Sequence, residues 1–359
     1  MEIGIVGLPY SGKTTLFSTL LKHKSADPGA KQSTERGVVK VPDPRLDKLT
    51  GMFNPKKKVN SVIDYIKVPG LESDGDKPQG LPAQFIANLK TVEAILVMVR
   101  DFENEFYPHP FDSVSPERDI EFIHGEFLLS DLLIVESRVE KLEKMVMKIK
   151  NDKDIRELAL MNRLKEQLEL EKPIREMELS EDEKKVLKGY QFLTAKSLLY
   201  VINIAEENIS KSAEIEQRLQ KYMTPNCAVT SLSAEIEKEI SELSEEDAAV
   251  FMDDLGIKEP ALSKLIRTSY ELLGLISFFT VGEDECRAWT IRKGTKAQQA
   301  AGVIHSDLEK GFIRAETVHY DELIAQGSLN ACKDKGLLRL EGKEYLVKDG
   351  DILNIRFNV

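Results

Sequence analysis

An apolar run, Ile3 to Val6, leads directly into Gly7-Leu8-Pro9-Tyr10-Ser11-Gly12-Lys13-Thr14, which fits the pattern G-x-x-x-x-G-K-[ST] at every fixed position. The pattern demands a strand, a loop with glycine at both ends, and a helix. In such a loop successive backbone N–H groups point inward and converge on a polyphosphate. Lys13 is the residue expected to reach the β- and γ-phosphates and assist their chemistry, and the Thr14 hydroxyl is the expected Mg²⁺ ligand. Pro9, Tyr10, Ser11, Gly12 and Thr15 complete the expected nucleotide contacts. The run Thr15 to Leu21 reads as the helix whose positive N-terminus faces the phosphates. A glycine turn with no ligand is the plain alternative, and the strand, loop and helix context weighs against it.

A chain of 359 residues has room for two or three domains with packed cores. No run approaches the roughly 18 apolar residues of a membrane span, and Met1 leads straight into a strand, so a cytoplasmic protein without membrane contact is expected. The three cysteines, Cys227, Cys286 and Cys332, form no C-x-x-C pair, which argues against zinc and disulfide frameworks. A net charge of −11 means that any nucleic-acid contact must use a local basic surface.

The polar stretch from His23 to Arg36 stands where a first switch would close over Mg²⁺, with Ser33 and Thr34 as the available hydroxyls. A strand over residues 59–68 then ends in Lys67-Val68-Pro69-Gly70. In nucleotide switches this tetrad reads Asp-x-x-Gly, the acid standing on the metal side and the glycine amide, here Gly70, sensing the γ-phosphate. The acid is missing, and Asp64 lies on the wrong face of an ideal strand to replace it. Lys67 has two readings, direct contact with phosphate or weakened metal binding, and sequence does not choose between them.

The continuous apolar run Ala94 to Val99 reads as a strand buried inside a parallel sheet. Beyond Phe122 the spacing of Leu132, Val135, Val139, Leu142, Val146 and Ile149 predicts a coiled-coil seam. A return helix over 155–170 makes an antiparallel helical hairpin. The sheet resumes at Leu198 to Ile202 and ends in Asn203-Ile204-Ala205-Glu206, where guanine-specific proteins carry Asn-Lys-x-Asp. Ile204 and Glu206 alter both outer determinants of guanine, while Asn203 retains the amide that pairs with adenine, so adenine is expected. Ser233-Ala234 would line the base. From Ile276 onward, strands around the helix 297–305, opened by Thr295 and Gln298, suggest a small β-grasp module. His305 and His319 show no acid partner in sequence.

With these pieces in place the chain resembles the Obg-like ATPases of the YchF family, within the TRAFAC phosphate-loop NTPases. The marks are Gly4-Ile5-Val6-Gly7-Leu8-Pro9 with Gly12-Lys13, Val41-Pro42-Asp43-Pro44-Arg45-Leu46-Asp47, and Val99-Arg100 with Phe102-Glu103-Asn104. Asn203-x-x-Glu206, Arg287-Ala288-Trp289-Thr290-Ile291 and Val347-Lys348-Asp349-Gly350-Asp351 continue them to the C-terminal end.

The resemblance implies an α/β fold: a Ras-like nucleotide domain over 1–127 and 194–273, a coiled-coil insertion over 128–193, and a TGS domain of β-grasp type over 276–359. It implies ATP preferred over GTP, Mg²⁺ as cofactor, and a monomer whose hairpin and TGS surface meet the ribosome or RNA. The family's proposed catalytic histidine follows the Phe-Glu-Asn motif by a few residues, and His109 stands there. A loop histidine without a role is its alternative. Family members usually read Asn-Val-Gly-Lys-Ser where this chain has Tyr10 to Thr14, and Asp-Ile-Ala-Gly where it has Lys67 to Gly70. Two functions are therefore expected in competition: a slow ATPase switch, and a nucleotide-responsive adaptor that does not hydrolyse.

Overall fold

The computed structural model describes residues 2–22, 34–69, 80–224 and 226–358. Ser33, Gly70 and the segment 71–79 of the expected switches lie outside the described residues. The chain runs β1 (Glu2–Gly7), α1 (Lys13–Leu21), β2 (Glu35–Lys40), α2 (Pro44–Phe53), β3 (Lys57–Val59), β4 (Val62–Lys67), α3 (Ala83–Lys90) and β5 (Ala94–Asp101). It continues through α4 (Pro116–Lys148), α5 (Asp152–Glu169), α6 (Glu181–Leu187), β6 (Ser197–Ile204), α7 (Ser212–Arg218), β7 (Cys227–Leu232), α8 (Ala234–Glu242), α9 (Glu245–Asp254) and α10 (Ala261–Leu272). The last part holds β8 (Leu275–Thr280), β9 (Glu285–Arg292), α11 (Ala297–Ile304), α12 (Ser306–Lys310), β10 (Phe312–His319), α13 (Tyr320–Gln326), α14 (Leu329–Asp334), β11 (Arg339–Glu341) and β12 (Asp351–Phe357). Two compact units result, residues 1–37 with 64–262, and residues 38–63 with 263–359.

The first unit is built on a sheet of order β2-β4-β1-β5-β6-β7. β1 pairs in parallel with β4 and β5, β5 with β6, and β6 with β7. Five carboxyl ends therefore share one edge, which is where open α/β sheets bind ligands. β5 and β6 are buried along nearly all their length, as strands covered on both faces must be.

The helix expected from Phe122 begins earlier, at Pro116, because Ser115 takes the N-cap position and proline is preorganised for the first helical turn. Ile120, Ile123 and Phe127 pack into the sheet core, whereas Leu128, Val135, Val139 and Leu142 pack with Leu160, Met161, Leu164 and Leu168 of α5. One helix thus serves two cores. The seam frays at its tip, where Ile149 is exposed. Buried Asp131 fastens the base of the hairpin, accepting hydrogen bonds from Leu193 N at 3.0 Å and from Thr194 N and Oγ1, both at 2.7 Å.

The second unit is a sheet of order β11-β10-β12-β8-β9-β3. β8 and β9 form an antiparallel hairpin, β12 runs parallel to β8 and antiparallel to β10, and β11 pairs with β10. That connectivity, with α11 following the hairpin, is the β-grasp arrangement. β3 adds a sixth strand parallel to β9.

The segment expected as one strand over 59–68 is two strands, β3 and β4, placed in different sheets. Residues 38–63, expected in the nucleotide domain, group with the C-terminal unit. Leu46 and Leu49 of α2 pack there with Phe279, Val318 and Ile352, and Arg45 bridges Asp43 and Asp349.

At the start of α11 Gln299 Oε1 accepts from Lys296 N at 3.2 Å, whereas Gln298, expected to pair with Thr295, donates its amide to Glu309 O. His305 and His319 do have acid neighbours, Asp307 and Asp321, and each caps a helix by accepting a backbone N–H through Nδ1. Among the described residues no helix is long and apolar enough to cross a membrane.

Candidate functional site

At the carboxyl edge of the first sheet lies a cleft of about 880 Å³. Tyr10, Ser11, Gly12, Lys13, Thr14 and Thr15 form one wall; Asn203, Ile204, Glu206, Ser233 and Ala234 form the other. Pro9 shapes the loop without lining the cleft.

Gly12 is the N-cap of α1 with φ 98°, and no side chain caps that helix and no acid stands in its first turn. The positive end of α1 is therefore left for an anion. Lys13 Nζ donates to Gly7 O at 2.9 Å and Leu8 O at 2.7 Å, so the ammonium curls over the loop. Burial, with Lys67 nearby, pushes Lys13 down to about 7. A phosphate dianion in the cleft would favour the charged ammonium and so oppose both effects.

Asn203 ties the two walls together. Its Nδ2 donates to Ser11 O and its Oδ1 accepts from Ala234 N, each at 3.0 Å. A β-carbon at position 12 would run into that same Nδ2, which is why glycine is required there. These two bonds give Asn203 a framework role that the sequence did not show, and they leave one amide hydrogen and one carbonyl lone pair for a ligand.

A loop after β5 forms the third wall, with Phe102, Glu103, Asn104 and Tyr107. It is set by Arg100, whose side chain is almost wholly buried. Arg100 Nε donates to Phe102 O and Nη1 to Tyr107 O, both at 2.8 Å. Asn104 Oδ1 accepts from the N–H groups of Phe106 and Tyr107. The Tyr107 ring meets the Tyr10 ring at 5.2 Å between centroids, with Tyr10 held at φ 59°, an uncommon conformation for a bulky residue. Sequence reasoning named Arg100 and Phe102-Glu103-Asn104 as family marks without giving them a place in the site; the position of Arg100 in β5, beside the phosphate-loop strand, was the available signal.

His109 does not line the cleft. It is 5% exposed, its Nε2–H donates to Asp119 Oδ2 at 2.8 Å, and its Nδ1 accepts from Phe111 N at 3.2 Å. Burial holds His109 below the usual imidazole range, against the attraction of Asp119. Both ring nitrogens are engaged inside the fold, so His109 is neither an exposed loop residue nor a group that faces the cleft in this structure.

Lys67 ends β4, opposite Ile5 in the register with β1. Its ammonium pairs with Glu35 and lies 5.7 Å from the centre of the Phe17 ring.

Residues 2–163 match the family model described as "50S ribosome-binding GTPase", and residues 275–358 match the C-terminal model of the YchF GTPases, described as "Protein of unknown function (DUF933)". The chain is 42% identical to "Ribosome-binding ATPase YchF" of Bacillus subtilis over all of both chains, and 39% identical to the protein of that name from Escherichia coli O157:H7 over 100% of this chain and 99% of the other. The chain belongs to the YchF family. The solved YchF GTPase of Schizosaccharomyces pombe superposes with a TM-score of 0.86 at 33% identity, covering 99% of this chain and 97% of that one.

Against the usual YchF motifs, the phosphate cradle is intact and its metal side is changed. A magnesium ion would find the Thr14 hydroxyl on the protein. Where the second-switch acid should stand it would meet the ammonium of Lys67, which already engages Glu35. Among the described residues this donor set does not fit a magnesium site with carboxylate support.

Proposed function

We propose that this chain is a cytoplasmic, monomeric switch that binds ATP in preference to GTP, hydrolyses it slowly, and acts on the ribosome. The observation that carries the reading is the uncapped α1 N-terminus with Lys13, joined to the base-side wall through Asn203. Ile204 and Glu206 line that wall where a guanine site needs lysine and aspartate, and this supports adenine. Phe102 offers a flat apolar face in the same cleft. The ribosome enters from the names of the relatives, with the hairpin and the TGS-like C-terminal unit as the surfaces proposed to meet ribosomal RNA or protein. Thr14 remains the hydroxyl a cation would approach, and Gly70 the amide proposed to sense the terminal phosphate.

Slow turnover follows from His109. A histidine that orients attacking water must reach the cleft, whereas this one is held by Asp119 and Phe111. We assign His109 to holding the wall that carries Tyr107. The adaptor reading, in which ATP orders the protein without hydrolysis, is favoured by the same observation together with Lys67. Single-turnover assays with purified full-length protein separate the two. Release of inorganic phosphate above the uncatalysed rate supports the switch; intact ATP affinity with no release supports the adaptor and sinks the ATPase.

A further inference from the structure

Three observations place the Lys67 ammonium near the strand and helix that flank the phosphate cradle, just outside the residues that line the cleft. Its backbone is fixed by the β1 register, with Ile5 opposite it and Val68 N donating to Ile5 O at 3.1 Å, two residues before the loop begins at Gly7. Its Nζ lies 5.7 Å from the Phe17 ring centre, and Phe17 stands one turn beyond Thr14 on the same side of α1. Its partner is Glu35, which enters from β2. The Lys67 side chain is 15% exposed and that of Glu35 28%, so the pair is partly shielded from water yet open to exchange.

An ammonium carries three donors, and one carboxylate does not exhaust them. A dication set among the same phosphate oxygens would repel Lys67 at short range. A phosphate dianion would attract it, in competition with Glu35.

Resting on the nucleotide reading above, we propose that Lys67 donates directly to the terminal phosphate of a bound nucleoside triphosphate and supplies charge neutralisation that magnesium supplies in other phosphate-loop proteins. Triphosphate binding by this chain then does not depend on a divalent cation. The Lys67–Glu35 pair is the resting state, and binding exchanges the carboxylate for the phosphate.

The test is calorimetric titration of ATP and ADP into the full chain, with magnesium and with excess EDTA. Wild type should keep its ATP affinity in EDTA within about fivefold, whereas loss of one charged hydrogen bond, in Lys67→Met, should weaken ATP in EDTA by about 10- to 100-fold. ADP, which lacks the terminal phosphate, should change by less than about threefold in that variant. Lys67→Arg should restore ATP binding, and Glu35→Gln should bind ATP at least as tightly as wild type. Collapse of wild-type ATP binding in EDTA overturns the proposal without any variant, as does a Lys67→Met protein that loses ATP and ADP equally or neither. Lys13→Ala separates the two levels. If it binds ATP like wild type, the phosphate-loop reading itself fails; if it does not, and wild type needs magnesium, only the role of Lys67 fails.

Discussion

Asn203 donates through Nδ2 to Ser11 O and accepts through Oδ1 from Ala234 N, so one buried amide fixes the distance between the phosphate loop and the loop that lines the base. Removing it should loosen both walls at once. Asn203→Ala is expected to weaken ATP and GTP alike, by about tenfold, because a buried hydrogen-bonded framework is lost and no base contact is singled out. Titration of the two nucleotides checks this. A change in the ATP to GTP ratio, with one affinity preserved, would return Asn203 to base reading.

Gly12→Ala puts a β-carbon against Asn203 Nδ2 at a position of φ 98°. The clash and the left-handed conformation act together, at a cost of order 1–3 kcal/mol for the backbone strain alone. ATP binding should disappear at concentrations that saturate wild type. Far-ultraviolet circular dichroism should remain native, since the sheet core does not include this residue.

Arg100 holds the third wall through two backbone carbonyls, Phe102 O and Tyr107 O. Arg100→Met keeps much of the buried volume and removes both donors. Amide hydrogen exchange over residues 102–111 should quicken, and ATP affinity should fall by about tenfold. Unchanged exchange in that segment would show that the wall is held by Asn104 alone.

His124 is pushed down to about 4 by burial and by Arg175, against about 6.5 in an unfolded chain. Between those values the unfolded state binds the proton and the native state does not, so stability rises with pH through this window and is lost as pH falls. Urea unfolding at pH 5 should show about 2 kcal/mol less stability than at pH 7.5 from this group. His124→Leu should flatten much of that slope. An equal slope in the variant would assign the acid sensitivity elsewhere.

The phosphate loop was legible because its function needs fixed residue types at fixed spacing, and Gly12 shows why: only one residue fits beside Asn203. The hairpin was legible through its apolar spacing, although its first turns belong to the sheet core, and periodicity alone does not tell which partner a helix face meets. The migration of residues 38–63 to the C-terminal unit was not legible, since β3 pairs with β9 across more than 200 positions of chain. Asn203 was found, but its framework bonds were not legible, because sequence names the amide but not the carbonyl and N–H it bonds. His109 was located by resemblance, while its burial against Asp119 depends on where α4 begins.

The most direct measurement is calorimetric titration of ATP into the full chain beside Lys13→Ala. Saturable binding at one site, weakened at least about tenfold by loss of the Lys13 ammonium and tighter for ATP than for GTP, is the predicted result. Equal affinities in wild type and Lys13→Ala, or binding of GTP in preference to ATP, would contradict an adenine-nucleotide site at Gly7 to Thr14.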